Sequence, residues 1–103
     1  MKASFGLHIA PQFGYSYENV QKIVTHAEKN DYNLLTIGDH LFLDENSANR
    51  DCMEAWMLLG ALAAQTSKIR LGTLVSANSF RHPSLLAKMA ATIDVISNGR
   101  LIL

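Results

Sequence analysis

Asp39 and His40 are the residues whose types and position best suit chemistry, since they directly follow the apolar run 34–38, LLTIG. A short apolar run bounded by polar residues predicts a buried strand. In parallel α/β proteins ligands bind outside the carboxyl ends of the strands, so both side chains would reach a binding site. A structural role is the alternative, because an aspartate that begins a loop commonly hydrogen-bonds the nearby backbone.

A metal site is the second kind of chemistry that these residues suggest. His8 and His82 could join the Asp39-His40 pair as ligands, but the sequence contains no short HxH or HxxxH spacing. Two histidines a few residues apart on one strand or helix can reach the same metal ion, whereas distant histidines depend on the fold to bring them together. We therefore expect no metal.

Two further charged positions favour structural roles. Glu54 lies in the first turn of a predicted apolar helix, where a carboxylate favours the helix dipole and caps free amides. Arg81 and His82 precede Pro83, so they could meet an anion at a helix start, although capping is the simpler interpretation.

The composition allows one small domain of 103 residues, 49% of them apolar and 17% charged. Nine basic and nine acidic residues are scattered along the chain and leave no net charge, which disfavours nucleic acid and anionic membranes as partners. Cys52 is the single cysteine and cannot form an internal disulfide. With no apolar signal segment and no apolar run of about 18 residues, we expect a cytoplasmic protein.

The elements that must position Asp39 and His40 follow from apolar periodicity and turn formers. Strands are predicted at 4–9, 34–38, 69–75 and 100–103. Helices are predicted from the N-cap Ser16 to about Asn30, over 52–66, and from Pro83 to the stop signal Asn98-Gly99. The polar segment 43–51 is predicted to be a mobile lip beside the sheet. The order β-α-β-α-β-α-β is typical of parallel βαβ units.

Strand alternation predicts which side chains face the helices. In a barrel of parallel strands the outward positions press on helices, so the branched and aromatic residues of each strand should point out: Phe5, Leu7, Ile9, Leu35 and Ile37. The inward set is then Gly6, His8, Thr36, Gly38, His40 and Gly72. Small residues below two imidazoles would leave room for a flat ligand, unless the glycines only relieve crowding inside the barrel.

Three segments together resemble the luciferase-like monooxygenase family of (β/α)8 barrels, especially the branch that uses coenzyme F420. They are LLTIGDHL at 34–41, EAWMLLGALAAQTSKIRLGTLV at 54–75 and RHPSLLAKMAATIDVISNGRL at 81–101. The resemblance covers the whole chain and implies a TIM-barrel fold of which residues 1–103 form one partial domain, the amino-terminal half. The chain ends within the fourth strand, before the glycine-rich loop and the later strands with which the family binds phosphate.

The resemblance also implies roles for individual residues. A flavin-type ring, FMN or F420, would lie over the second and third strands, supported by a bulge at Leu74-Val75 with a cis peptide bond. Asp39 would hydrogen-bond the ring, and His40 would act near the reacting atoms as proton donor or substrate orienter. Three residues after the bulge would edge the cofactor: Ser76, Ala77 and Asn78.

Two functions remain open on this reasoning. The chain is expected to be part of an oxidoreductase that transfers hydride or oxygen to a small organic substrate. The alternative is an inactive barrel fragment that associates with itself, because an open sheet has unpaired edges. The family resemblance further implies a homodimer formed through the helices 54–66 and 83–97.

Overall fold

The computed structural model describes residues 2–103, which form alternating strands and helices. The strands are β1 (Gly6–Ile9), β2 (Leu34–Ile37), β3 (Arg70–Thr73) and β4 (Leu101–Ile102). The helices are α1 (Tyr17–Lys29), α2 (Ala55–Gln65) and α3 (Pro83–Ser97). Short 3-10 helices cover Pro11–Phe13 and Glu45–Ser47. The predicted order of elements is therefore confirmed.

Within the described residues the strands form one parallel sheet in the order β1-β2-β3-β4. Neighbouring strands pair in chain order because each crossover returns the chain beside the strand it left. The register aligns His8 with Thr36, and Thr36 with Gly72. These three inward positions consequently lie side by side across the sheet.

The helices cover the outward face of the sheet. Ile9, Leu35 and Ile37 are buried in one cluster with apolar side chains of all three helices. Leu7 packs half-buried against this cluster, as its outward position predicts. Phe5 departs from the prediction, because β1 begins only at Gly6 and the Phe5 ring stays exposed beside Tyr32.

Local capping explains where the helices begin and end. The Ser16 hydroxyl accepts from the Asn19 amide at the start of α1, as predicted. Glu54 accepts from the Met57 amide, so α2 begins at Ala55 and not at the predicted residue 52. Asn98 and Gly99 both have positive φ and end α3 where expected.

All four observed strands are shorter than predicted, and the predicted loop 43–51 contains a turn. The strand β3 ends at Thr73 and not at residue 75, because its neighbour β2 ends at the paired residue Ile37. The predicted strand 4–9 likewise shortens to Gly6–Ile9, where pairing with β2 begins. The polar segment 43–51 contains a capped 3-10 turn, in which Asp44 and Ser47 exchange hydrogen bonds.

Candidate functional site

Asp39 and His40 lie just beyond the carboxyl end of β2, where the sequence predicts them. Their side chains diverge. Asp39 is buried, whereas His40 is exposed on the inward side, with its Cδ2 atom 3.6 Å from the position that a Cβ on Gly38 would occupy. The Cys52 thiol donates to the His40 carbonyl oxygen (3.3 Å) and thereby ties this segment to the residues before α2.

A buried ion cluster surrounds Asp39. Arg81 donates to both of its carboxylate oxygens, from Nη1 to Oδ2 (2.7 Å) and from Nη2 to Oδ1 (2.8 Å), and the Ala77 amide also donates to Oδ2 (2.8 Å). Arg81 pairs in addition with Glu54, the residue that caps α2. A bidentate arginine pair of this kind is both strong and directional. The cluster therefore fixes the end of β2, the start of α2 and the loop before α3 relative to one another.

The charges in this cluster shift one another's pKa values. Burial alone would raise the pKa of Asp39, but the hydrogen bonds from Arg81 and Ala77 outweigh it and hold that pKa below its usual range. The hydrogen bond to Asp39 likewise raises the pKa of Arg81. Asp39 is thus ionised and already has protein partners. Its carboxylate holds the end of β2 to the Ala77 backbone and to Arg81.

The loop after β3 carries the remaining predicted site residues. The Leu74-Val75 peptide bond is cis, at the position that the family resemblance implies. Both side chains are exposed, Leu74 by 57% and Val75 by 71%. Ser76 and Ala77 are half-buried and Asn78 is exposed. The indole nitrogen of the buried Trp56 donates to the Ser76 hydroxyl (3.1 Å), which anchors this loop to α2.

The inward side of β1 and β2 ends in a small polar recess over Gly38. The atoms nearest to the position of a Cβ on Gly38 are Gln12 Oε1 at 3.5 Å, and His8 Nε2 and His40 Cδ2 at 3.6 Å. His8 Nδ1 lies 3.0 Å from the Thr36 hydroxyl oxygen. Gln12 Oε1 is buried and has no hydrogen-bond partner within residues 2–103.

Sequence reasoning missed Gln12 and the pairing of Arg81. No role is predicted for Gln12 from the sequence, although it follows β1 at the same sheet edge at which Asp39 follows β2. That shared edge was the available signal. Arg81 was considered only as an anion contact or a cap; its neighbour His82 is the cap, accepting from the Ser84 amide through Nδ1 (3.3 Å).

A flat aromatic ring fits these residues chemically. Leu74 and Val75 offer exposed apolar surface of the kind that packs against a ring face. His8, Gln12 and His40 offer polar atoms at its edge. A few oriented polar groups beside apolar surface are what a cofactor site requires.

Residues 2–103 lack two other kinds of site. Residues 2–103 contain no group of three or more His, Cys, Asp or Glu side chains placed to hold a metal ion. No helix among these residues is both long and apolar enough to cross a bilayer.

The model of the luciferase-like monooxygenase family matches residues 3–103. The pyrimidine monooxygenase RutA of Acinetobacter baylyi is 39% identical over 99 residues, which are 88% of this chain and 25% of the relative. RutA of Rhizobium rhizogenes is 34% identical with the same coverage. The chain thus spans about a quarter of the length of the curated relatives it matches.

Solved structures give the same fold. The coenzyme F420-dependent tetrahydromethanopterin reductase of Methanopyrus kandleri superposes with a TM-score of 0.80 at 30% identity, covering 99% of this chain and 26% of the reductase. The oxygenating constituent of 3,6-diketocamphane monooxygenase from Pseudomonas putida, solved with FMN, gives 0.80 at 24% identity, covering 100% and 29%. The predicted α/β fold of parallel TIM-barrel units is therefore confirmed.

Proposed function

The chain belongs to the luciferase-like monooxygenase family, and on that premise we propose that its residues at the carboxyl ends of β1 to β3 hold a flavin-type ring, FMN or F420. Such a ring, when bound, supplies the hydride or oxygen chemistry of an oxidoreductase acting on a small organic substrate. The observation that carries the proposal is the exposed apolar surface of Leu74 and Val75 at the end of the strand next to the polar recess, where the Leu74 amide donates to the carbonyl oxygen of Ile37, the residue before Gly38 (3.0 Å).

Each side chain has a distinct part in this proposal. Leu74 and Val75 support one face of the ring and exclude water from it. Ser76, Ala77 and Asn78 run along its edge, and Asp39 positions that loop through the Ala77 amide. Asp39 was expected to contact the cofactor directly, but its engaged carboxylate favours this indirect role.

His40 is the proposed proton donor or substrate orienter. Its side chain is exposed beside the recess, and its backbone is held by Cys52. An imidazole has one nitrogen that can donate a proton and one that can accept a proton, which suits this role.

The activities for which two relatives are named support the reaction class. RutA is named a pyrimidine monooxygenase, and the Methanopyrus kandleri protein is named a coenzyme F420-dependent reductase. These names favour hydride or oxygen transfer and leave both FMN and F420 as cofactors. The relatives are longer than this chain, and their further barrel units would complete the site around the rest of the ring.

Fluorescence titration of the chain with FMN and with F420 tests the proposal. We expect saturable quenching with one of them, and we expect Val75→Asp to weaken that binding at least about tenfold, because it places a charge against the ring. Val95→Asp is the matched control, since Val95 is equally exposed on α3, away from the site. Equal effects of the two variants, or no binding of either cofactor, would contradict the proposal.

The open sheet favours a second candidate function, which is that the chain is an inactive fragment that associates with itself. Its inward face is exposed at Gly6 and His8, and β1 and β4 each have one unpaired edge. Such edges are templates for pairing with another chain. Concentration-dependent growth to large assemblies, together with no saturable binding of either cofactor, would favour this candidate.

We also propose that two copies pair through α2 and α3. An apolar groove runs between these helices, and Met57 at its rim is 73% exposed. The exposed groove-lining side chains Met57 and Ile96 and the half-buried Met89 would be covered by the same surface of a second copy. Light scattering should give twice the 11.4 kDa of one chain, and Met57→Lys should shift that mass towards the monomer. A monomer at micromolar concentration would contradict the dimer.

A further inference from the structure

We propose that Gln12 and His8 form an acceptor subsite over Gly38 that binds N–H groups of a flat heterocyclic amide or imide. The inference rests on the proposed function, because it assumes that a flat ring enters at this edge of the sheet. It adds the chemistry by which one end of the ligand is recognised.

The buried carbonyl of Gln12 is the first observation. Gln12 is only 7% exposed, yet its Oε1 atom has no partner in the part of the chain that the structure describes. Buried carbonyl oxygens are nearly always hydrogen-bonded, so an unpaired one calls for an explanation. A ligand N–H that completes this bond provides it.

The second observation is the orientation of His8. The Thr36 hydroxyl oxygen lies 3.5 Å from the Leu7 carbonyl oxygen and 3.0 Å from His8 Nδ1. Because the carbonyl can only accept, we assign the hydroxyl hydrogen to Leu7 and the His8 hydrogen to Nδ1, which then donates to Thr36. This tautomer leaves the lone pair of Nε2 free, and Nε2 faces the same recess as Gln12 Oε1. Two acceptors therefore converge on one small space.

Gly38 provides the space itself. Its φ lies outside the positive region that favours glycine, so the backbone does not require this residue type. A Cβ there would meet its nearest atoms at 3.5–3.6 Å, which is ordinary van der Waals contact. An alanine would consequently fill the recess without displacing its walls.

The chemistry of the recess selects the ligand. Two converging acceptors attract N–H donors and disfavour ionised carboxylates and phosphates, which are negatively charged and offer acceptors alone. An amide or imide edge of a flat ring carries such a donor. The ring of the cofactor and a heterocyclic substrate share this chemistry, and methylation of the ring nitrogen removes it from either one.

Two pairs of probes separate the sources. Lumiflavin and its N3-methyl derivative test the cofactor ring, and uracil and 1,3-dimethyluracil test a substrate imide. In the unmodified chain we expect about tenfold weaker binding of the methylated member in one pair, equivalent to the loss of one buried hydrogen bond. The pair that discriminates identifies the ligand whose N–H is bound.

Two variants connect this discrimination to the subsite. Gln12→Met should abolish it without lowering the thermal midpoint, because it removes an unpaired acceptor and keeps the side-chain volume. Gly38→Ala should weaken the parent probe about tenfold, also with no loss of thermal midpoint, whereas the control Gly60→Ala on α2 should leave binding unchanged. A structural role for Gln12 would instead lower the midpoint in Gln12→Met.

The outcomes distinguish this inference from the function on which it rests. Flavin binding without discrimination by methylation in either pair overturns the subsite and leaves the proposed ring site standing. Discrimination that persists in Gln12→Met and Gly38→Ala also overturns it. If no probe binds the unmodified chain, both proposals fail.

Discussion

The two ends of the sheet satisfy their polar groups in opposite ways. At the amino ends of β3 and β4, Glu28 accepts from three consecutive amides, those of Ser67, Lys68 and Ile69. Arg100 donates to main-chain carbonyl oxygens of Ala63, Thr66, Ile69 and Ser97, and to the Thr66 hydroxyl. Charged side chains at this end therefore satisfy backbone amides and carbonyl oxygens that have no partner in regular secondary structure.

At the carboxyl end of the sheet, polar and apolar groups remain free to contact a ligand. Gln12 Oε1 is unpaired within the described chain, and Leu74 and Val75 expose apolar surface. Unpaired buried acceptors and exposed apolar side chains both cost stability in the absence of a ligand. This fold therefore concentrates stability at one end of its strands and binding capacity at the other, as TIM-barrel enzymes do.

The Asp39–Arg81–Glu54 cluster is the exception that refines this contrast. It lies at the carboxyl end, but its charges are paired as completely as those at the amino end. It sits beneath the loop that bears Ala77 and next to the exposed His40. A rigid support under an open surface keeps a binding site in shape before the ligand arrives.

Arg81→Met should produce the largest effect. It leaves the buried Asp39 carboxylate without its cation, and breaking a buried pair in this way costs about 3–5 kcal/mol of unfolding free energy. Urea denaturation at pH 7 measures this cost. Arg81→Met combined with Asp39→Asn should recover part of the loss, since the only carboxylate then left without Arg81 is that of the partly exposed Glu54. A loss below about 1 kcal/mol in the single variant would show that the cluster does not support the edge.

His40→Ala should show whether the exposed histidine acts in the reaction, in contrast to the Asp39–Arg81–Glu54 cluster, which holds the structure. In a cofactor-loaded form of the protein it should lower turnover about 100-fold or more, the range expected for a lost acid-base group. Cofactor affinity and the urea midpoint should change little, because the His40 side chain is exposed and forms no salt bridge within residues 2–103. Steady-state kinetics beside cofactor titration separates these effects. Unchanged turnover would remove His40 from the chemistry.

The fold could be predicted from the sequence because its signals are local. Alternating residues identified β1, the Ser16 cap identified the start of α1, and Asn98-Gly99 identified the end of α3. Element ends were less predictable where pairing decides them. The end of β3 depends on where β2 ends, which no pattern within β3 contains.

The candidate site could be predicted only in outline. Strand order placed Asp39 and His40 at one edge, since that follows from the βαβ pattern. The partners of Asp39 could not be predicted, because Arg81 lies 42 residues further along the chain and reaches it through a loop. Gln12 was missed for the same reason: its relation to Gly38 exists only once β1 and β2 are paired.

Glu28→Gln should give the smallest effect and test the amino end directly. Burial would raise the pKa of Glu28, but hydrogen bonds from the amides of residues 67–69 outweigh it and lower that pKa. The ionised form therefore stabilises the folded chain above the unfolded pKa, near 4.3, and this contribution is lost as the pH falls through the lower folded pKa.

At pH 7 we expect Glu28→Gln to lower the unfolding free energy by about 1 kcal/mol, because the amide oxygen still accepts but without a charge. The difference from the unmodified chain should shrink as the pH falls below about 4, where the carboxylate becomes protonated. Glu18→Gln on the same helix is the control, since its pair with Lys22 is exposed and should contribute less than about 0.5 kcal/mol. Urea denaturation between pH 3 and pH 7 measures both. If the two variants behave alike, the charge of Glu28 does not stabilise the amino end, and the contrast between the two ends loses its energetic basis.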